Sequence, residues 1–125
     1  FTIVGNGKQR RDFTYVSDVV DCLILASKSK IKNDFFNVGS GNSYSVNSLV
    51  KLLGGRKTFV PKRPGEPDCT WANIKKIKKN IGWEPKVSFE KGVKNLLKQI
   101  SYWKNAPVWD KSSIKVATKT WFKYL

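Results

Sequence analysis

Gly5-Asn6-Gly7-Lys8-Gln9-Arg10-Arg11-Asp12-Phe13-Thr14-Tyr15-Val16-Ser17-Asp18-Val19-Val20 joins a glycine-rich turn, two arginines and the start of an apolar helical pattern. Asn-Gly between apolar runs is the signature of a two-residue type I′ turn, because both central positions of that turn need positive φ. The stretch therefore predicts a hairpin in which Gly5 pairs with Lys8, Val4 with Gln9 and Thr2 with Arg11. Thr2, Val4, Gln9 and Arg11 then share one face of the ribbon. Arg11 carries a rigid fork of donors suited to phosphate oxygens, and the main chain of Thr2-Ile3-Val4 beside it can read a planar base. The alternative for Arg11 is a surface ion pair with its neighbouring aspartate.

Outward from this stretch, Asp18 can cap a helix whose Val19, Val20, Leu23, Ile24 and Ser27 fall on one side. Asp34-Phe35-Phe36-Asn37-Val38 has strand length and ends in the turn Gly39-Ser40-Gly41-Asn42, which is an incomplete match to a dinucleotide fingerprint. Ser45 can cap a second helix that stops at Gly54-Gly55, and Lys57-Thr58-Phe59-Val60 reads as a strand. Asn73 can cap a lysine-rich helix ended by Gly82, with Trp83 folding back near Ile77 and Pro85 blocking continuation. Ser88 starts the clearest amphipathic pattern, Val93, Leu96, Leu97, Ile100 and Trp103. Pro107 breaks the chain, and Asp110 can cap a terminal helix carrying Ile114, Ala117, Trp121 and Leu125. Strands alternate with helices, as in mixed α/β architecture.

A length of 125 residues bounds the chain to one domain, and the opening on Phe1 within an apolar stretch reads as a piece cut from a longer polypeptide. There is no leading signal pattern and no apolar run near the ~20 residues of a membrane span, so a soluble, cytoplasmic protein is expected. Histidine is absent, which excludes histidine-dependent triads, and Cys22 and Cys69 lack the spacing of a zinc site. The formal charge of +15 points to anionic partners or to simple solubility. Lysines 75, 76, 78 and 79 are the solvated face of an amphipathic helix.

In Pro61-Lys62-Arg63-Pro64-Gly65-Glu66-Pro67, Arg63 and Glu66 each precede a proline, which biases both toward extended backbone. A guanidinium for phosphate beside a carboxylate for ribose hydroxyls suits a nucleotide. The other reading is a stiff connector whose two charges face water.

In this order and at these distances, Gly5-Asn6-Gly7-Lys8-Gln9-Arg10-Arg11-Asp12-Phe13, Phe36-Asn37-Val38-Gly39-Ser40-Gly41, Arg63-Pro64-Gly65-Glu66 and Ile81-Gly82-Trp83-Glu84-Pro85 resemble a known pattern. It is that of the carboxy-terminal, substrate-binding part of NAD-dependent nucleotide-sugar epimerases and dehydratases, in the extended short-chain dehydrogenase family. The resemblance implies that Arg11 and Arg63 grip the diphosphate of a nucleoside diphosphate sugar, that Glu66 contacts ribose, and that the main chain of Thr2, Ile3 and Val4 lines the base. Gln9 stands at the same mouth. In a complete enzyme it implies a reaction opened by hydride transfer from the sugar to NAD. The family's Gly-x-x-Gly-x-x-Gly turn and Tyr-x-x-x-Lys pair do not occur in this sequence.

The reading that results is an incomplete extended Rossmann-type α/β portion with a hairpin, short strands and about five helices. Residues 1–106 form the nucleotide-sugar region and 107–125 a helical extension without assigned role. The chain should bind no NAD and catalyse nothing alone; a missing Rossmann half and a second copy of the chain are its expected partners. The alternative is a basic nucleic-acid-binding module, against which stands the scatter of its lysines over several elements.

Overall fold

A computed structural model describes residues 1–124, and it is mixed α/β with six helices and four short strands. Strands β1 (Thr2–Val4) and β4 (Thr58–Val60) pair in parallel, Ile3 opposite Phe59. Strands β2 (Arg10–Arg11) and β3 (Tyr44–Ser45) pair antiparallel. The helices are α1 (Val16–Lys28), α2 (Val46–Leu53), α3 (Lys75–Ile81), α4 (Phe89–Lys98), α5 (Lys111–Ala117) and α6 (Lys119–Tyr124), with a 3₁₀ turn at Ile100–Trp103 after α4.

The expected hairpin is not formed. Gly5 and Gly7 take positive φ, but Asn6 between them does not, so the chain turns without the double left-handed geometry of a type I′ loop. The amide of Gly5 instead continues the parallel ladder by donating to the Val60 carbonyl at 2.9 Å. Of the pairings predicted across the turn, a side-chain bond survives: the Gln9 amide donates to the Val4 carbonyl at 2.8 Å.

Local capping signals are realised where a hydroxyl or carboxylate precedes a helix. Ser45 accepts from the Ser48 amide, Ser88 from the Lys91 amide, and Asp110 and Ser113 form a reciprocal capping box on α5. Asn73 accepts from the Lys75 amide at 3.0 Å just ahead of α3, and Gly82 closes that helix in the left-handed conformation. Trp83 then folds back onto Ile77 and Cys22 to form the core, with Phe36, Ile74 and Ile81 packed against it.

Three further expectations are corrected. Helix α1 begins at Val16, ahead of Asp18, whose carboxylate is buried and accepts from the Val87 amide at 3.0 Å. With Asp18 and Cys22 facing inward, Val20, Leu23 and Ile24 are left exposed. Residues 34–38 are not a strand: Lys76 on α3 holds Asp34 and the Phe35 carbonyl, and no strand among the described residues pairs with the segment. The terminal helix is two helices that meet at Thr118, whose hydroxyl bonds back to the Ile114 carbonyl at 2.8 Å. Leu125 lies outside the described residues.

Candidate functional site

Main-chain bonds bring the two halves of the site together. On the edge of β2 away from β3, the Arg10 amide donates to the Asp68 carbonyl at 2.8 Å and the Thr70 amide to the Arg10 carbonyl at 3.1 Å. This fastens the loop after β4 alongside β2, so its Glu66 and Pro67 lie against Arg11. Arg11 Nη2 meets Glu66 Oε1 at 3.1 Å, and Nη1 donates to the carbonyls of Pro67 at 2.9 Å and of Arg10 at 2.8 Å. Both side chains are about one-quarter exposed, so solvent screens their attraction less than that of a surface pair. An anion arriving here must share the guanidinium with Glu66 or displace it.

Beside this pair opens a cleft of about 290 Å³ lined by Val4, Gly5, Asn6, Gln9 and, from the loop, Lys62, Glu66 and Asp68. The Lys62 ammonium bonds Asp68 at 2.5 Å and holds its carboxyl below the ordinary aspartate range, with the Arg11 charge adding to the effect. Lys8 also lines the cleft. Sequence reading singled out none of Lys8, Lys62 and Asp68. For Lys62 and Asp68 the available signal was their place at the two ends of the proline-stiffened loop.

Of the residues expected to act together, Val4, Gln9 and Glu66 line this cleft and Arg11 holds Glu66 beside it. The Ile3 side chain is buried, and the Thr2 hydroxyl donates to the Trp109 carbonyl at 3.4 Å. Arg63 points elsewhere. It lines a separate cavity of about 670 Å³ between the loop and helices α5 and α6, with its guanidinium 5.6 Å from the centroid of the Trp121 ring. The Trp121 indole donates to the Pro64 carbonyl at 2.9 Å. Glu66 thus engages one expected phosphate arginine and Trp121 the other, in different cavities.

Against family descriptions, residues 1–39 match the NAD dependent epimerase/dehydratase family and residues 55–96 match GDP-mannose 4,6 dehydratase. The chain belongs to the NAD-dependent nucleotide-sugar epimerase/dehydratase family. Its first segment carries β1, β2 and α1, and the second carries the site loop, α3 and most of α4.

Among relatives, the CDP-paratose 2-epimerase of Salmonella typhi is 41% identical over 106 residues, covering 77% of this chain and 31% of its own. The UDP-glucuronate 4-epimerase of Thermodesulfobacterium geofontis is 34% identical over 99 residues, covering 74% and 30%. Among solved structures, Thermotoga maritima UDP-glucose 4-epimerase with UDP-glucose superposes with a TM-score of 0.75 at 36% identity, over 81% of this chain and 34% of that one. Bacillus cereus UDP-glucuronic acid 4-epimerase, in complex with UDP-glucuronic acid and NAD, gives a TM-score of 0.72 at 32% identity, over 79% and 35%. The chain thus spans about a third of the length of these relatives. No helix among the described residues is long and apolar enough to cross a membrane.

Proposed function

We propose that this chain is the part of a nucleotide-sugar epimerase or dehydratase that holds a nucleoside diphosphate sugar, and that it does not turn substrate over alone. The observation that carries the proposal is the Arg11–Glu66 pair beside a cleft floored by Val4 and Gln9. Arg11 would take the diphosphate, Glu66 the ribose hydroxyls, and the main chain of Thr2, Ile3 and Val4 with Gln9 the base. Arg63, on the same loop as Glu66, would be the second phosphate arginine. Binding energy gathered from the nucleotide would position the sugar. No glycine-rich dinucleotide turn and no Tyr-x-x-x-Lys pair stands in the sequence to hold NAD or move a proton, so those tasks fall to a partner half. The exposed Val20, Leu23 and Ile24 on α1 offer that half, or a second copy of the chain, an apolar surface.

Titration calorimetry of the full chain with UDP-glucose, CDP-glucose and dTDP-glucose tests the reading. Saturable binding of at least one, competed by the matching nucleoside diphosphate and weakened by Arg11→Ala, is the expected result. Equal and unsaturable heats for all three, unchanged in the variant, would overturn it.

A further inference from the structure

The Arg63 guanidinium makes no hydrogen bond to any described residue and lies over the Trp121 ring. That indole is itself fixed, because its N–H donates to the carbonyl of Pro64, the next residue in the loop. One aromatic side chain from the terminal helices therefore grips two consecutive residues of the site loop.

The rest of the attachment is slight. No residue of α5 or α6 is buried, and Trp121 itself is 40% exposed. Lys111, Lys115 and Lys119 line the same cavity as Arg63, and none of them is ion-paired among the described residues. Four like charges around one cavity repel, which lowers the free energy needed to lift the helices away. Segments held by few buried contacts are those that open first.

Taken with the proposed role of Arg63, on which the inference rests, these contacts have a direct consequence. We propose that helices α5 and α6 form a latch on Arg63, in which the Trp121 ring and the diphosphate of the ligand compete for the Arg63 guanidinium. With the latch closed, Arg63 faces the terminal helices, and of the two arginines Arg11 is the one beside the cleft. Ligand binding draws Arg63 out of the cavity and frees Trp121.

The test compares diphosphate-sugar affinity in the full-length chain, with UDP-glucose, CDP-glucose and dTDP-glucose as probes, for wild type, Trp121→Ala, Arg63→Ala and the double variant. Circular dichroism confirms folding of each. Loss of the competing ring should tighten binding about two- to fivefold, the effect of an exposed cation–π contact. The same substitution should have no effect once Arg63 is alanine. Trp121→Phe, which keeps a ring without the N–H, should fall between wild type and Trp121→Ala.

Affinity that is unchanged or weaker in Trp121→Ala overturns the latch, as does an equal gain in the Arg63→Ala background. The two failures are distinguishable. Binding that is lost in Arg11→Ala but indifferent to Trp121 removes the latch alone, whereas no binding by wild type or Trp121→Ala removes the reading of the site and the latch with it.

Discussion

The indole N–H of Trp83 donates to the main-chain oxygen of Asp18 at 2.9 Å, a buried bond between residues 65 apart in the chain. The Asp18 carboxylate then accepts from the Val87 amide, so one residue of α1 fastens both sides of the turn between α3 and α4. Asp18→Ala leaves the Val87 amide without its partner and should cost about 1–3 kcal/mol. Trp83→Ala should cost about 3–5 kcal/mol through the cavity it opens. Urea unfolding measures both, and an Asp18→Ala midpoint equal to wild type would refute the first.

At the cleft, Arg11→Ala should weaken nucleoside diphosphate sugar binding about ten- to a hundredfold, the range for hydrogen bonds to a charged group. Arg11→Lys should recover little, because an ammonium cannot reproduce a planar two-point contact. Calorimetric affinities for both variants check this, and full rescue by lysine would show that charge alone matters there.

Gly39 permits a close approach. A Cβ built on it would lie 2.5 Å from both Ala72 Cβ and Asp12 Oδ2. The same Asp12 carboxylate accepts from the amides of Ser40 at 2.6 Å and Ala72 at 3.2 Å, tying the turn after residue 38 to the segment before α3. Gly39→Ala should destabilise by about 1–3 kcal/mol, as overpacking does. Thermal unfolding reads the shift.

The amide and hydroxyl of Ser113 hold the Asp110 carboxyl below the ordinary aspartate range. A folded-state value lower than the unfolded one means that the contribution is present above the unfolded value and is lost as pH falls through the folded one. Helix α5 should therefore keep its cap at neutral pH and fray below about pH 4. Asparagine also caps but does not titrate, so Asp110→Asn should remove the pH dependence of Ser113 amide exchange.

Light scattering should give a mass above the 14.2 kDa of one chain, through the exposed Val20, Leu23 and Ile24 of α1. Leu23→Lys should return it toward that of one chain.

What was legible in the sequence was what a few neighbouring residues decide. Ser45, Ser88 and Asp110 cap their helices, and Gly82 ends α3 and lets Trp83 fold back, because each event involves bonds within one turn. The errors came where a partner lay far away. Asn6-Gly7 carries a real turn preference, yet β1 pairs with a strand more than fifty residues on, and that parallel ladder overrides the local hairpin. Helix α1 shows a strong apolar stripe, but period alone does not say which side meets the core, and the side carrying Asp18 and Cys22 does. At the site, Arg11 meets Glu66, a pairing the sequence did not announce, whereas the two arginines expected on one diphosphate face different cavities. The direction of Arg63 depends on Trp121, which no spacing near the loop could reveal.

Burial beside Ile77 and Trp83 pushes the Cys22 thiol up from its ordinary value, whereas Cys69 is exposed. Only a thiolate attacks an alkylating reagent, so the two sulfurs should be modified at widely separated times. The slow event times the parting of α1 from α3, and the fast one gives an internal reference in the same molecule.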